Sequence, residues 1–180
     1  VAERIESGVV MTLSMYEASV PVFVHGLDNL AAVLRKGAAH AQAQNLDPAS
    51  LLQMRLAPDM HPLIKQVQIA ADLAKGPAAR LAGVERPSFD DIEASFEDLY
   101  ARIEKTIAYL QTLDLAEINA SEERVVELNL QGHEVKFRGQ PYLLYFALPN
   151  FYFHLTTAYA ILRHAGVPLG KRDYVGALKM

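Results

Sequence analysis

Apolar residues recur at alternating spacings of four and three through Tyr16, Val20, Phe23, Leu27, Leu30 and Leu34. That is the stripe of an amphipathic helix and predicts a first helix over about Ser14 to Ala43. Pro21 lies inside the pattern, so either the helix bends there or Leu13 to Val20 forms a separate opening turn. From Gln44 to Pro58 the sequence reads as a connection with one short helical turn after Asp47-Pro48. A second helix is expected from near Asp59, with that carboxylate as N-cap and Pro62 in the first turn, to about Ala82, with Gly83 as the stop. Leu63, Val67, Ala70 and Ala74 form its apolar face, and Gly76-Pro77 weakens its middle.

Ser88 and Asp91 offer a variant capping box for a third helix. Ile92, Phe96, Leu99, Ile103, Thr106, Leu110 and Leu113 continue it as a seven-residue repeat with one polar member. The connection to the second helix is then about five residues, which makes the two antiparallel neighbours. The period next drops to two: Val126, Leu128 and Leu130 alternate with polar residues, as do Val135 and Phe137. The turn between them is Gln131-Gly132 or Gly132-His133, which predicts a short β-hairpin before the last helix. That helix is expected as a short piece near Tyr142 to Ala147 and a main piece from Pro149 to Ala165, closed by Gly166 with Pro168 beyond.

Two stretches carry a family resemblance: P-D-M-H-P-L-I-K-Q-V-Q-I-A from Pro58 to Ala70, and P-N-F-Y-F-H-L-T-T-A-Y-A-I-L-R-H-A-G-V-P-L-G-K-R-D-Y from Pro149 to Tyr174. The chain resembles a bacterial domain-of-unknown-function family of similar length, placed among the DinB/YfiT-like helical-bundle proteins to which metalloenzyme activity is attributed. The resemblance implies an all-α fold, a four-helix bundle of up-down-down-up topology, with the small hairpin inserted between helices 3 and 4.

At 180 residues with 51% apolar composition, the chain is long enough for one domain with a substantial core. Met11 reads as a natural start, which makes residues 1–10 a disordered or loosely docked extension and 11–180 a single domain. The formal charge of −4 gives no general electrostatic reason to bind nucleic acid or an anionic membrane. A local basic patch stays open. There is no cysteine, so disulfides, thiolate metal sites and a thiol nucleophile in the chain are excluded. The first ten residues lack the pattern of a secretory signal, which leaves the cytoplasm as the expected compartment. From Pro141 to Leu162 there is no Asp, Glu, Lys or Arg, a run that matches the roughly 20 residues of a membrane span. Pro149-Asn150, His154 and two threonines within it point instead to a buried central helix.

The six histidines are the neutral metal ligands available. His40 and His164 fall near helix ends and His133 at the hairpin turn, which are surface positions. His25 lies opposite Phe23 and Leu27, away from the core unless the first helix is covered on two faces. His61 and His154 start helices that line the core. Metal-bearing DinB-like proteins use three histidines, one near the start of the second helix and two four apart on the last. The resemblance assigns the first to His61 and the second to His154, while the third position is Ala158, which has no donor atom. The triad is therefore broken, and a weakly held divalent ion, zinc or nickel, is the most that His61 and His154 support.

Gln66, Asp72, Asn150, His154 and Thr157 are candidates to line a small-molecule pocket between helices, or to form an internal hydrogen-bond network. No residue is assigned a catalytic role. A glycine-rich phosphate loop, a nucleophile elbow and H-E-x-x-H are all absent. Two functions follow. One is a homodimeric small-ligand-binding or structural bundle with a degenerate metal site. The other, which the resemblance implies for members with a complete triad, is a metal-dependent transferase using an external low-molecular-weight thiol. The aromatics Tyr142, Tyr145, Phe146, Phe151, Tyr152, Phe153 and Tyr159 go all round their helix and suit a pocket wall or dimer surface.

Overall fold

The stripe read from the first helix is buried as expected: Phe23, Leu27 and Leu34 are fully enclosed and Leu30 nearly so. The computed structural model of the protein describes residues 13–130 and 132–177, and the extension expected over residues 1–10, with Met11, lies outside them. Helix α1 runs over Val20–Ala43. Pro21 falls in its first turn, where the missing N–H has no helical partner to lose. The residues before it form a separate turn, with the Ser19 hydroxyl donating to the Met15 carbonyl at 2.6 Å. Of the two readings of Pro21, the opening turn is the one realised.

A short helix α2, Pro48–Gln53, is capped by Asp47, whose carboxylate accepts from the Ala49 and Ser50 amides. Helix α3 spans Leu63–Ala82 and ends on Gly83 at φ 70°, a left-handed stop that favours glycine. Its start corrects the sequence reading. Pro62 occupies the N-cap position, and Asp59 lies in the preceding turn without capping the helix. The segment is instead held by the Leu63 amide reaching back to the Met54 carbonyl at 2.9 Å. Ala70, Ala71, Ala74 and Ala78 are fully buried, so other helices approach this face closely.

Helix α4 covers Phe96–Gln111 and begins at Ser95, not Ser88. Ser95 and Asp98 form the reciprocal capping box, and Ile92, expected to open the repeat, is 82% exposed. The reason is electrostatic. Arg102 on α4 holds Asp91, Glu93 and the Asp90 carbonyl, and Gln68 on α3 holds Glu93, so this acidic stretch is pinned across two helices rather than wound into one. The connection from α3 to α4 is correspondingly longer than the five residues expected.

After a short helix α5, Leu115–Asn119, strands β1 (Val125–Leu130) and β2 (His133–Arg138) pair antiparallel with Leu130 opposite His133. His133 belongs to β2, which sets aside the Gly132-His133 turn, and Gly132 takes φ 87°. Val126 and Leu128 point into the molecule, and Phe137 packs against Tyr142 and Phe146 at 6.0 and 5.7 Å between ring centres. The hairpin therefore packs on its own bundle, which supplies the support two strands need.

The last helix is one continuous rod of three parts: α6 (Gly139–Tyr142), a π-helical turn (Leu143–Ala147) and α7 (Leu148–His164). Pro149 sits in the first turn of α7 and does not interrupt it. Helices α1, α4, α3 and α7 form the bundle, each in contact with the next and α7 closing on α1. A terminal helix α8, Lys171–Val175, packs on α1. Among the described residues no helix is long and apolar enough to cross a membrane.

Candidate functional site

Gln66 lies in the first turn of α3, 1% exposed, and a buried amide must satisfy both of its ends. Its Nε2 donates to the His61 carbonyl at 3.0 Å. A carbonyl only accepts, so this bond fixes the orientation of the amide and leaves Oε1 facing His154 Nδ1 at 2.6 Å. Oε1 also only accepts, and His154 Nδ1 therefore carries the hydrogen. Nε2 is left as the bare nitrogen of a neutral imidazole, the form that binds a metal or accepts a hydrogen bond.

The electrostatics favour the same state. Burial, with a smaller contribution from the nearby positive form of His61, pushes the His154 pKa down from its ordinary value to about 4. At neutral pH His154 is uncharged. The Phe153 ring meets it edge-on at 5.2 Å, and Gln66 supplies the one polar partner found for its ring among the described residues.

Of the residues singled out in the sequence, Gln66, His61 and His154 come together. Ala158, one turn after His154, is fully buried and brings no donor. Asn150 is engaged locally, its amide donating to the Phe146 carbonyl at 2.6 Å, and Thr157 donates to the Phe153 carbonyl at 2.8 Å. Asp72 lies farther along α3 and is held by Lys75 and by Arg102. His25 is within 3.0 Å of the Val175 carbonyl, so α8 supplies a second cover for that side of α1. His40 and His164 lie in the last turns of their helices, and His133 is an exposed residue opening β2.

Whether a tightly bound metal fits depends on the donor set. Two imidazoles alone do not close a coordination shell. Among the described residues no group of three or more His, Asp or Glu is arranged to hold an ion.

Sequence reasoning missed a buried charge cluster on the α3–α4 side. Arg102 and Lys75 are 3% and 2% exposed, and both bond Asp72. The Phe89 ring lies between Lys75 and Lys105, at 4.2 and 4.1 Å from its centre. A signal was present, since Arg102 falls at helical spacing from Leu99 and Thr106 on the same buried face. Burial lowers the Lys75 pKa, and the Asp72 carboxylate opposes that shift.

The comparisons with known proteins agree with this architecture. A family model described as a domain of unknown function, DUF1993, matches residues 15–175. A crystal structure of a DinB family member protein from Shewanella denitrificans is 39% identical, with 92% of this chain and 93% of that chain covered and a TM-score of 0.83. No curated protein matches the chain. A match over nearly all the described residues, joined to that likeness in fold, establishes that the chain belongs to the DUF1993 family and has the DinB-like bundle fold.

Proposed function

We propose that this protein is a homodimeric, small-ligand-binding bundle in which the metal site of metal-bearing DinB-like proteins has been reduced to His61 and His154. The observation that carries the reading is the pairing of a neutral His154, its tautomer set by Gln66, with a fully buried Ala158 at the third position. Such a site keeps an acceptor nitrogen and lacks the ligands to hold an ion tightly. The dimer is supported by the outer side of the last helix, where Tyr145 is 79% and Phe153 55% exposed. Leu56, Tyr152 and Phe153 also line a shallow groove of about 350 Å³ there, an apolar surface of the kind that marks an interaction site.

The second reading, a metal-dependent transferase using an external low-molecular-weight thiol, draws on the unprotonated Nε2 of His154 beside His61. Calorimetry with zinc and with nickel on untagged protein separates the two. The expected affinity is micromolar or weaker, and it falls further in His154→Ala. Nanomolar, stoichiometric binding that His154→Ala abolishes would overturn the binding-protein reading and favour the enzyme.

A further inference from the structure

A second groove, of about 310 Å³, lies between α3, the hairpin and the π-helical turn. Its lining begins at Ile69, one turn from Gln66, but its arginine end is distant: Arg80 is 14 residues beyond Gln66 on α3, roughly 20 Å at 1.5 Å per residue. Two arginines face it, Arg80 and Arg86. Gly76 makes room for both. A Cβ built there would come within 3.1 Å of Arg80 Nη1 and 3.2 Å of Arg86 Cδ, so the missing side chain is the notch in which the two arginines lie. Arg80 is thereby turned back along its helix, with Nη1 3.5 Å from the Tyr142 hydroxyl, and not toward the carbonyls at the helix end. Burial pushes the Tyr142 phenol up, while the charges of Arg80 and then Arg86 pull the other way.

The charges of this groove do not balance. Its two carboxylates are already committed: Asp72 to Lys75 and Arg102, and Glu127 to Lys136 at 2.6 Å. Among the described residues neither Arg80 nor Arg86 has a carboxylate within ion-pair distance. Apart from Asn129, whose Oδ1 accepts from the Gly132 amide, the remaining walls are apolar, chiefly Leu73, Pro77 and Phe146. Two uncompensated guanidiniums beside a buried phenol suit an oxyanion, and an apolar wall suits the body that carries it.

We propose that this groove binds a small organic anion, a carboxylate or phosphate on an apolar body, held by Arg80 and Arg86, with Arg80 steadied from behind by the buried Tyr142 hydroxyl. The inference is independent of the metal question, because a zinc titration reports on His154 and leaves this groove untouched. The test is calorimetric titration of the whole chain with 3-phenylpropionate, phenyl phosphate and, as a neutral control, benzyl alcohol. At least one of the two anions is expected to bind, more weakly as salt is raised, and benzyl alcohol is not. Which anion binds assigns the carboxylate or the phosphate. Arg86→Gln, at an exposed position that tolerates change, is expected to weaken binding about tenfold, as loss of a charge-assisted hydrogen bond does. Arg163→Gln on α7 removes the same charge elsewhere and is expected to leave it unchanged. The proposal is overturned if neither anion binds, if benzyl alcohol binds as well as the anions, or if Arg86→Gln has no more effect than Arg163→Gln.

Discussion

Acidification should destabilise this protein through one identifiable histidine. His154 takes up a proton only near pH 4 in the folded chain, whereas an unfolded histidine does so near 6.5. Between those values the unfolded chain binds a proton that the native state refuses, so stability is full above pH 6.5 and falls as the pH drops toward 4. The whole shift corresponds to about 3 kcal/mol, of which about 2 kcal/mol is lost between pH 7 and pH 5. The assay is urea unfolding of the native chain and of His154→Gln at both pH values. With a urea dependence of about 2 kcal/mol per molar, the native midpoint should move by about 1 M more than that of the variant. Asp47, Asp91, Asp98 and Asp173 are held below the ordinary aspartate value of 3.8 by their hydrogen bonds. Their stabilisation is lost below that value, under the His154 window, and cancels in the comparison. An equal midpoint shift in the two proteins, or a His154 titration by NMR at pH 6 or above, would refute the reasoning.

Other outcomes follow from close contacts and exposed surfaces. Arg102→Met should cost about 2–4 kcal/mol in urea unfolding, because Glu93, Asp72 and Asp91 lose a shared cation whose side chain is 1% exposed. Adding Glu93→Gln should recover part of that loss, and strict additivity would count against the cluster. Gly139→Ala should lower stability by about 3 kcal/mol or more, since the new Cβ would lie 1.9 Å from the Ser121 carbonyl oxygen, a backbone atom. A thermal midpoint within about 2 °C of the parent would contradict it. Light scattering at micromolar concentration should give close to twice the 19.9 kDa chain mass. Phe153→Asp should produce monomer, and a parent chain that is monomeric at high concentration would remove the dimer.

Elements whose cause is local were legible from sequence. The α1 stripe, the helical turn after Asp47-Pro48, the Gly83 stop and the hairpin alternation each need only neighbouring residues, and each appears where local physics places it. The errors fall where a distant charge decides. Ser88-x-x-Asp91 and Ser95-x-x-Asp98 are equally good capping patterns, and Arg102 selects the second by drawing Asp91 and Glu93 into its own cluster. Asp59 was an equally reasonable cap for α3, but the Leu63 amide returns to Met54 across a nine-residue loop closure that no local pattern announces. His61 and His154 are candidates that rest on the resemblance. Gln66 was named as a pocket residue, but the bonds that fix the tautomer of His154 arise only when α3 and α7 meet. The Arg80–Arg86 groove depends on Gly76, which from sequence alone reads as a weak point in a helix.

The π-helical turn at Leu143–Ala147 explains why the last helix resisted a periodic reading. A π turn inserts one extra residue, which rotates everything after it by about 100° relative to an uninterrupted α-helix. The phase that matters therefore begins at Leu148, and from there Phe151, Leu155, Ala158 and Leu162 form the buried stripe at spacings of four, three and four. His154 sits on the flank of that stripe, close enough to α3 to reach Gln66. Ala158 sits within it, fully enclosed. The difference between the two positions is one of burial as well as of donor atoms: His154 occupies a margin where a polar ring finds a partner, while the methyl group of Ala158 is fully enclosed in the core. A larger donor at 158 would have to displace neighbouring side chains before it met an ion, a strain that costs about 1–3 kcal/mol. The lack of a donor atom at position 158 and the burial of that position are thus one structural feature.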